Sequence, residues 1–427
     1  MPKKLGRNVA KWMSEALLWL RDTMHHLAIV LLASLLPGCV AMIPRDALPE
    51  VAATYAQPEG FHNIRYWGDE VPNAFVTDPG SPGPMGAPLI RSEARRPLTL
   101  LAISGGAEDG AFGAGLLAGW SHAGNRPAFD LVTGVSSGAL IAPLVFLGRE
   151  RDSQLREIFT KYGRRDIFAY SAIRPIWEGS ALVDSSPLAR LIEKYVDREL
   201  VRQVARERSK GRLLLIGTTN LDAQRPVLWD MGRIATSDNP DAIDLFRKVL
   251  LASATVPGVF APVRIKVRVG GKDYDEMHVD GGVTRQVFIA PSTLHLFSDV
   301  RKTVSGARLF VIRNGRIEPQ WQPVNADLLS ITQRSISTLI KNQGIGDLYR
   351  IYAIARQNRV EFNLASIPAN FNVEADGAFD QQYMVALFEQ GYRMAKDRYP
   401  WARSLPDLQI VAPGTHQSGS SSGIGDF

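Results

Sequence analysis

A serine hydroxyl is a weak nucleophile at neutral pH, so it needs a neighbouring base and a backbone that holds it out toward its substrate. Ser136 stands in Gly134-Val135-Ser136-Ser137-Gly138, after the apolar Leu131 and Val132 and before an apolar run to Leu147. The order reads as a buried strand, a sharp turn and a helix beginning near Ser137, which is the setting of a nucleophile elbow. The flanking glycines keep side chains away from a backbone that must turn tightly and approach another segment. Ser136 is therefore the candidate nucleophile, and Pro143 predicts a kink in the helix behind it. A second match to the same pattern, Gly419-Ser420-Ser421-Ser422-Gly423, has neither a strand before it nor a helix after it.

Upstream, Leu98 to Ser104 is an apolar run of strand length that breaks into Gly105-Gly106-Ala107-Glu108-Asp109-Gly110 before AFGAGLLAGW resumes at helical spacing. Backbone N–H groups at such a junction point out from the positive end of a helix and suit a phosphate or a developing oxyanion. A dinucleotide site would want a third glycine where Ala107 stands and an acidic residue after the next strand, which instead leads into Ser136. Two strand-to-helix turns at one edge of a parallel sheet would bring Gly105, Gly106 and Ser136 together.

The elements that follow alternate between strand and helix. A helix is predicted over 182–196 with Ser185 or Ser186 as its cap, a buried strand over 213–218, a helix over 246–254 and an antiparallel strand VRIKVRV over 263–269. Met277 to Asp280 reads as a short strand delivering Asp280 to Gly281-Gly282. A strand over 309–313 ends in an Asn314-Gly315 turn, and helices follow over 325–358 and 381–396. The pattern predicts an α/β fold: a three-layer sandwich with a mostly parallel central sheet.

Composition bounds the rest. With 45% apolar and 22% charged residues the chain is globular. Half of its formal +6 charge lies before residue 39, and no basic stripe is interleaved with aromatics, so no nucleic-acid partner is expected. One cysteine and seven scattered histidines without an H-x-x-x-H pair argue against a metal site, and no cofactor is expected. Leu27 to Leu36 is too short to span a bilayer and reads as the apolar core of a signal peptide. Leu36-Pro37-Gly38-Cys39 resembles the lipobox of bacterial lipoproteins, which implies removal of residues 1–38 and acylation of Cys39. The alternative is an uncleaved anchor, and Met13 and Met24 stand beside Met1 as candidate starts. Residues 39–97 are rich in proline and read as a tether whose Tyr55, Phe61, Tyr66 and Trp67 are able to pack on the main domain. Residues 98–412 make the catalytic domain, and 413–427 are a disordered Gly/Ser-rich tail.

Four segments in order resemble the patatin-like phospholipase family: SGGAEDGAFGAG (104–115), GVSSG (134–138), ASATVPGVFAPV (252–263) and VDGG (279–282). The resemblance implies a patatin-like fold and a Ser–Asp dyad that hydrolyses lipid acyl esters. Ser136 would be the nucleophile and Asp280 the base, with the amides of Gly105, Gly106 and Ala107 forming the oxyanion hole. It further implies a membrane lipid substrate and, with Cys39, a lipid-anchored protein of a bacterial cell envelope, at the outer membrane or periplasmic face. Ala107 replaces the family's third glycine, a small change if its φ is negative, and Asp109 replaces a basic residue. Two rivals stand beside this reading: a Ser-Asp-His α/β-hydrolase with His295 as base, and a catalytically silent lipid-binding lipoprotein. His278 shares a strand face with Asp280 and either lines the site or packs; Trp177 and Glu178 either edge it or pack.

Overall fold

The computed structural model describes residues 45–70, 97–169, 184–257, 259–289 and 306–405. Cys39, Trp177, Glu178, His295 and the tail lie outside them. The strands are β1 (Arg65–Trp67), β2 (Thr99–Ile103), β3 (Leu131–Gly134), β4 (Leu213–Asn220), β5 (Arg225–Asp230), β6 (Val263–Val269), β7 (Lys272–Asp280), β8 (Arg308–Arg313) and β9 (Glu361–Ser366). The helices are α1 (Gly110–His122), α2 (Ser137–Leu147), α3 (Asp152–Lys161), α4 (Arg164–Ile167), α5 (Ser186–Tyr195), α6 (Arg198–Ser209), α7 (Met231–Ala235), α8 (Ala242–Ser253), α9 (Leu328–Gln357) and α10 (Gln381–Lys396). Among the described residues, no helix is long and apolar enough to cross a membrane.

All nine strands join one mixed sheet, ordered β1-β5-β4-β3-β2-β8-β9, with β7 on β4 and β6 on β7. Its centre, β4-β3-β2-β8-β9, is parallel, and β5, β1, β7 and β6 add an antiparallel flank. The central strands are buried at nearly every position because both faces are covered. Leu101, Ile103, Leu214, Ile216, Phe310 and Ile312 point into a core with α1, α2, α8 and α10. Their neighbours Leu100, Ala102, Leu213, Leu215, Leu309 and Val311 point the other way, onto Leu348, Ile351 and Ala355 of α9. This is the expected three-layer α/β sandwich. The helix expected over 182–196 forms as α5, but its first turn is held by Asp184, whose Oδ1 accepts from Ser186 N at 3.0 Å, and not by a serine side chain. Pro143 lies inside α2, which continues to Leu147.

The N-terminal segment 45–70 is docked on the domain. Phe61 and Ile64 are buried in the larger core, each contributing about 1.5–3 kcal/mol, and β1 pairs with β5. Tyr55 stays exposed, while Trp67 lies under the Arg225 guanidinium at 4.4 Å. Arg65 forms a buried ion pair with Glu276 of β7 and donates to Ala56 O at 2.7 Å. Burial alone would raise the Glu276 carboxyl, but the Arg65 charge and the hydrogen bonds from His278 and Arg65 outweigh it and hold it at about 2.

Strand β4 sets the active edge. Its first half pairs with β3, ending at Gly134 opposite Ile216, and its last residues pair on the same side with β7, where Thr218 faces Asp280. β7 therefore takes over the place beside β4 that β3 vacates. A chain leaving β3 at Gly134 reaches Ser136 two residues later, at the level of Asp280. The elbow glycines permit this turn: a Cβ on Gly134 would lie 2.4 Å from Gly138 O, and one on Gly138 would lie 2.5 Å from Ile103 O.

Helix α1, which carries the glycine loop, is held against α10 across glycines. A Cβ on Gly115 would sit 2.0 Å from the carbonyl oxygen of Phe388, a backbone atom that cannot swing aside. Gly115→Ala should therefore push the two helices apart and cost about 1–3 kcal/mol. Thermal unfolding would show this as a lowered Tm; an unchanged Tm would mean that the helices are not in this contact.

Candidate active site

Ser136 and Asp280 meet where the register of β4 places them. The Ser136 hydroxyl stands close enough to the Asp280 carboxylate to favour its ionised form. Ser136 has φ 54 and ψ −126, a backbone that L-residues rarely adopt and that marks the turn as strained. Its N–H donates to Ser253 Oγ at 3.0 Å, and Ser253 Oγ donates to Gly217 O at 2.7 Å. The last residue of α8 thus pins the elbow to β4. Asp280 is fixed on the other side, its Oδ1 accepting from Gly282 N at 2.7 Å.

Burial raises the Asp280 carboxyl to about 6, against the opposing pull of the bonds from Ser136 and Gly282. Among the described residues no cation enters that balance. The carboxylate is therefore a stronger base than a solvated aspartate, yet largely ionised at neutral pH, as a group that must take a proton from serine needs to be.

The glycine loop lies against this pair. A Cβ on Gly105 would be 3.0 Å from Ser136 Cβ. The Gly105 N–H, however, donates to Gln286 O at 3.0 Å. Gly105 is thus removed from the expected set of oxyanion donors, and its part is to hold the loop against the 281–286 segment. Among the described residues the N–H groups of Gly106 and Ala107 have no partner, and Ala107 lines the same cavity as Ser136. Ala107 has φ 48, so the negative φ that would have made alanine a small change is not found. The alanine carries a strain of about 1–2 kcal/mol that glycine would avoid. Asn314 clamps the start of the loop: its N–H donates to Ser104 Oγ and its Nδ2 to Ser104 O, both at 2.8 Å, while its Oδ1 accepts from Gly113 N at 3.0 Å.

Asp109 is held from the far side by Tyr383 of α10, whose hydroxyl donates to its Oδ1 at 2.5 Å. Burial raises it to about 6, with the neighbouring Glu108 adding to the rise and Tyr383 opposing it. It ties the loop to α10 and presents no positive charge to an anion.

His278 is fully buried away from the cavity. Its Nδ1 lies 3.0 Å from Thr218 Oγ1 and its Nε2 3.0 Å from Glu276 Oε2, with the ring edge on to Trp229. Burial lowers its pKa against the pull of Glu276, so the ring packs as a neutral group. Among the described residues no cluster of three or more His, Cys, Asp or Glu side chains could hold a metal ion.

From Ser136 a cavity of about 330 Å³ runs between α2, α5 and the 254–260 segment. Leu140, Leu144, Leu188, Ile192, Val256 and Phe260 are among its walls, which are almost entirely apolar. Glu108 at the loop end is its one carboxylate among the described residues, and burial raises that group as well.

One comparison bears on this arrangement. Residues 101–291 match the sequence model of the family described as patatin-like phospholipase. The crystal structure of VipD from Legionella pneumophila aligns with 71% of this chain and 67% of its own at 11% identity, with a TM-score of 0.31. No curated protein matches the chain.

The geometry fixes how Ser136 should respond to pH. The carboxylate form of Asp280 is the one that accepts the proton, so phosphonylation of Ser136 by a neutral fluorophosphonate should rise about tenfold per pH unit from acid and level off above about 6. Asp109 titrates in the same range, but Asp109→Asn should leave the midpoint in place because Asp109 does not touch Ser136. A profile that is flat through this region would contradict the assignment.

Proposed function

We propose that this protein, whose residues 101–291 match the patatin-like phospholipase family, is a lipid acyl hydrolase that cleaves acyl esters of the phospholipase A or lysophospholipase kind. In this reading a Ser136–Asp280 dyad works through an acyl-enzyme. The observation that carries it is the Ser136 hydroxyl standing beside a buried Asp280 carboxylate, whose ionised form it favours, with Ser136 lining an apolar cavity.

Asp280 takes the Ser136 proton as Oγ attacks the ester carbonyl. The carbonyl electrons move onto oxygen, and the Gly106 and Ala107 N–H groups are the donors placed to meet that charge; losing one such donor typically costs about a hundredfold or more in rate. Collapse expels the alcohol, which leaves with the proton from Asp280, and the acyl group remains on Ser136. Water then attacks with Asp280 again as base, and the fatty acid departs as the serine is restored. The apolar cavity suits the acyl chain, because burying each methylene is worth about 0.8 kcal/mol. The closeness of the carboxylate to the serine favours the dyad over a triad with His295.

Purified protein should hydrolyse p-nitrophenyl esters and take up a fluorophosphonate at Ser136. Asp280→Asn keeps the shape of the site but loses the proton acceptor. Its turnover should fall to about that of Ser136→Ala, since groups acting as one unit are not additive. A folded Asp280→Asn enzyme with normal turnover would overturn the dyad, and absence of hydrolysis and labelling in the wild type would favour a silent lipid binder.

We extend the proposal to location: acylation of Cys39 would hold the domain at the bacterial cell envelope. Cys39→Ala should then block processing of residues 1–38 or release the protein from membranes, visible in its intact mass and in fractionation. Unchanged mass and distribution would exclude the anchor.

A further inference from the structure

Helix α9 is longer than the sheet it covers. Its 30 residues span about 45 Å, whereas β8 and β9 have six residues each, about 20 Å. α9 leads directly into β9 and so runs against the strands, with its last turns at their starting edge. Leu348, Ile351 and Ala355 are buried on the sheet. Asp347 accepts from Gln286 N at 2.8 Å, and Arg313, the last residue of β8, donates to Lys341 O at 3.5 Å. These contacts mark the level of the edge that carries Ser136 and Asp280. The half of α9 from Leu328 to Lys341 stands about 20 Å beyond that level.

That half leaves four large apolar side chains bare: Leu328, Ile331, Ile336 and Leu339. Leu328, Ile331 and Leu339 fall on one stripe by helical spacing, interrupted by Thr332 and Ser335, with Ile336 at one edge, Arg334 and Lys341 along the other flank and Ser337 opposite. Leu328 is 84% exposed, Leu339 70% and Ile336 51%. The polar side is occupied by a strap: Arg334 donates to Gln320 O at 2.6 Å, and Lys341 donates to Glu318 O. The stripe continues toward the dyad, for Gln343 on the same flank donates to Val283 O at 3.4 Å. Val283 follows Asp280 by three residues and is itself exposed.

We infer that Leu328–Lys341 is an interfacial helix that inserts its apolar stripe into a lipid bilayer and sets the dyad at the membrane surface. The inference rests on the reading of the site as a lipid acyl hydrolase. A bilayer is favoured as the occupant because the stripe adjoins the segment bearing the base, and because the basic residues of the strap and helix (Arg316, Arg334 and Lys341) outnumber the acidic Glu318 and Asp327, which matches an anionic surface. Large apolar side chains left in water beside cations are what an interfacial helix needs and what a helix facing only solvent does without.

The test reads position 339 itself, so that contributions from the N-terminal residues drop out. In a full-length Ser136→Ala, Cys39→Ala chain, Leu339→Cys or Ser337→Cys is labelled with an environment-sensitive nitrobenzoxadiazole dye. On adding vesicles of phosphatidylethanolamine and phosphatidylglycerol, the label at 339 should brighten and shift to the blue while the label at 337 stays unchanged. In the active chain, Leu328→Ser with Leu339→Ser should lower kcat/KM on those vesicles about tenfold or more. Turnover of water-soluble p-nitrophenyl butyrate, and the Tm, should not change. No response at 339, or one that follows protein concentration without vesicles and so reports a second copy of the chain, would overturn the inference. A wild type inert on both esters with a responding label would instead sink the enzymatic reading and leave the membrane helix standing.

Discussion

The site depends on one approach, that of the Ser136 hydroxyl to a buried Asp280 carboxylate on which no cation acts among the described residues. An uncompensated carboxylate in a protein interior is costly, and the fold bears that cost because β4 sets both ends of the contact. Its pairing with β3 ends the strand two residues before Ser136, and its pairing with β7 brings Asp280 to the same level. This approach joins a strained turn to a strand terminus, each held by contacts of its own backbone: Ser136 N to Ser253 Oγ, and Asp280 N to Thr255 O at 2.9 Å. Strain at Ser136 is kept because its surroundings leave the turn no other conformation.

The same logic extends outward through polar groups that never touch the reacting atoms. Asn314 at the end of β8 and Tyr383 on α10 grip the glycine loop from two sides, and Gln286 takes the N–H of its first glycine. The loop therefore joins segments far apart in sequence, and α1, packed on α10 across small residues, carries it as part of a rigid layer. The cavity opens on the α2 and α5 side of the sheet, while the projecting half of α9 rises from the other layer. One layer thus offers space for an apolar chain and the other an apolar surface, with the dyad between them.

Much of this was legible in the sequence because glycine spacing and apolar runs report on local backbone. Ser136, the loop at 105–110 and the strand leading to Asp280 all stand where their patterns put them, and the alternation of strands and helices gave the layers. What escaped was non-local. Ser253 and Asn314 look like an ordinary helix end and an ordinary turn; their roles exist only once β4 and β2 are beside them. The Gly105 N–H reads as a free donor until Gln286 arrives from residues far along the chain. The sign of φ at Ala107 is set by the loop's closure against Asn314 and not by the residue itself. His278 shares a face with Asp280 by strand period, yet Trp229, Thr218 and Glu276 enclose it. Residues 45–70 read as a tether because β1 is only three residues long and finds its partner, β5, more than a hundred residues away.

The most direct test of the account is to titrate the Asp280 carboxyl itself, by infrared difference spectroscopy of the wild type against Asp280→Asn. Burial without a counter-charge predicts a midpoint near the value of about 6 that its surroundings impose. In Ser136→Ala, which removes a hydrogen bond favouring the ionised form, the midpoint should move higher. A carboxyl that titrates like a solvated aspartate, or one indifferent to the loss of Ser136, would show that the two groups do not meet as described and that another residue serves the serine.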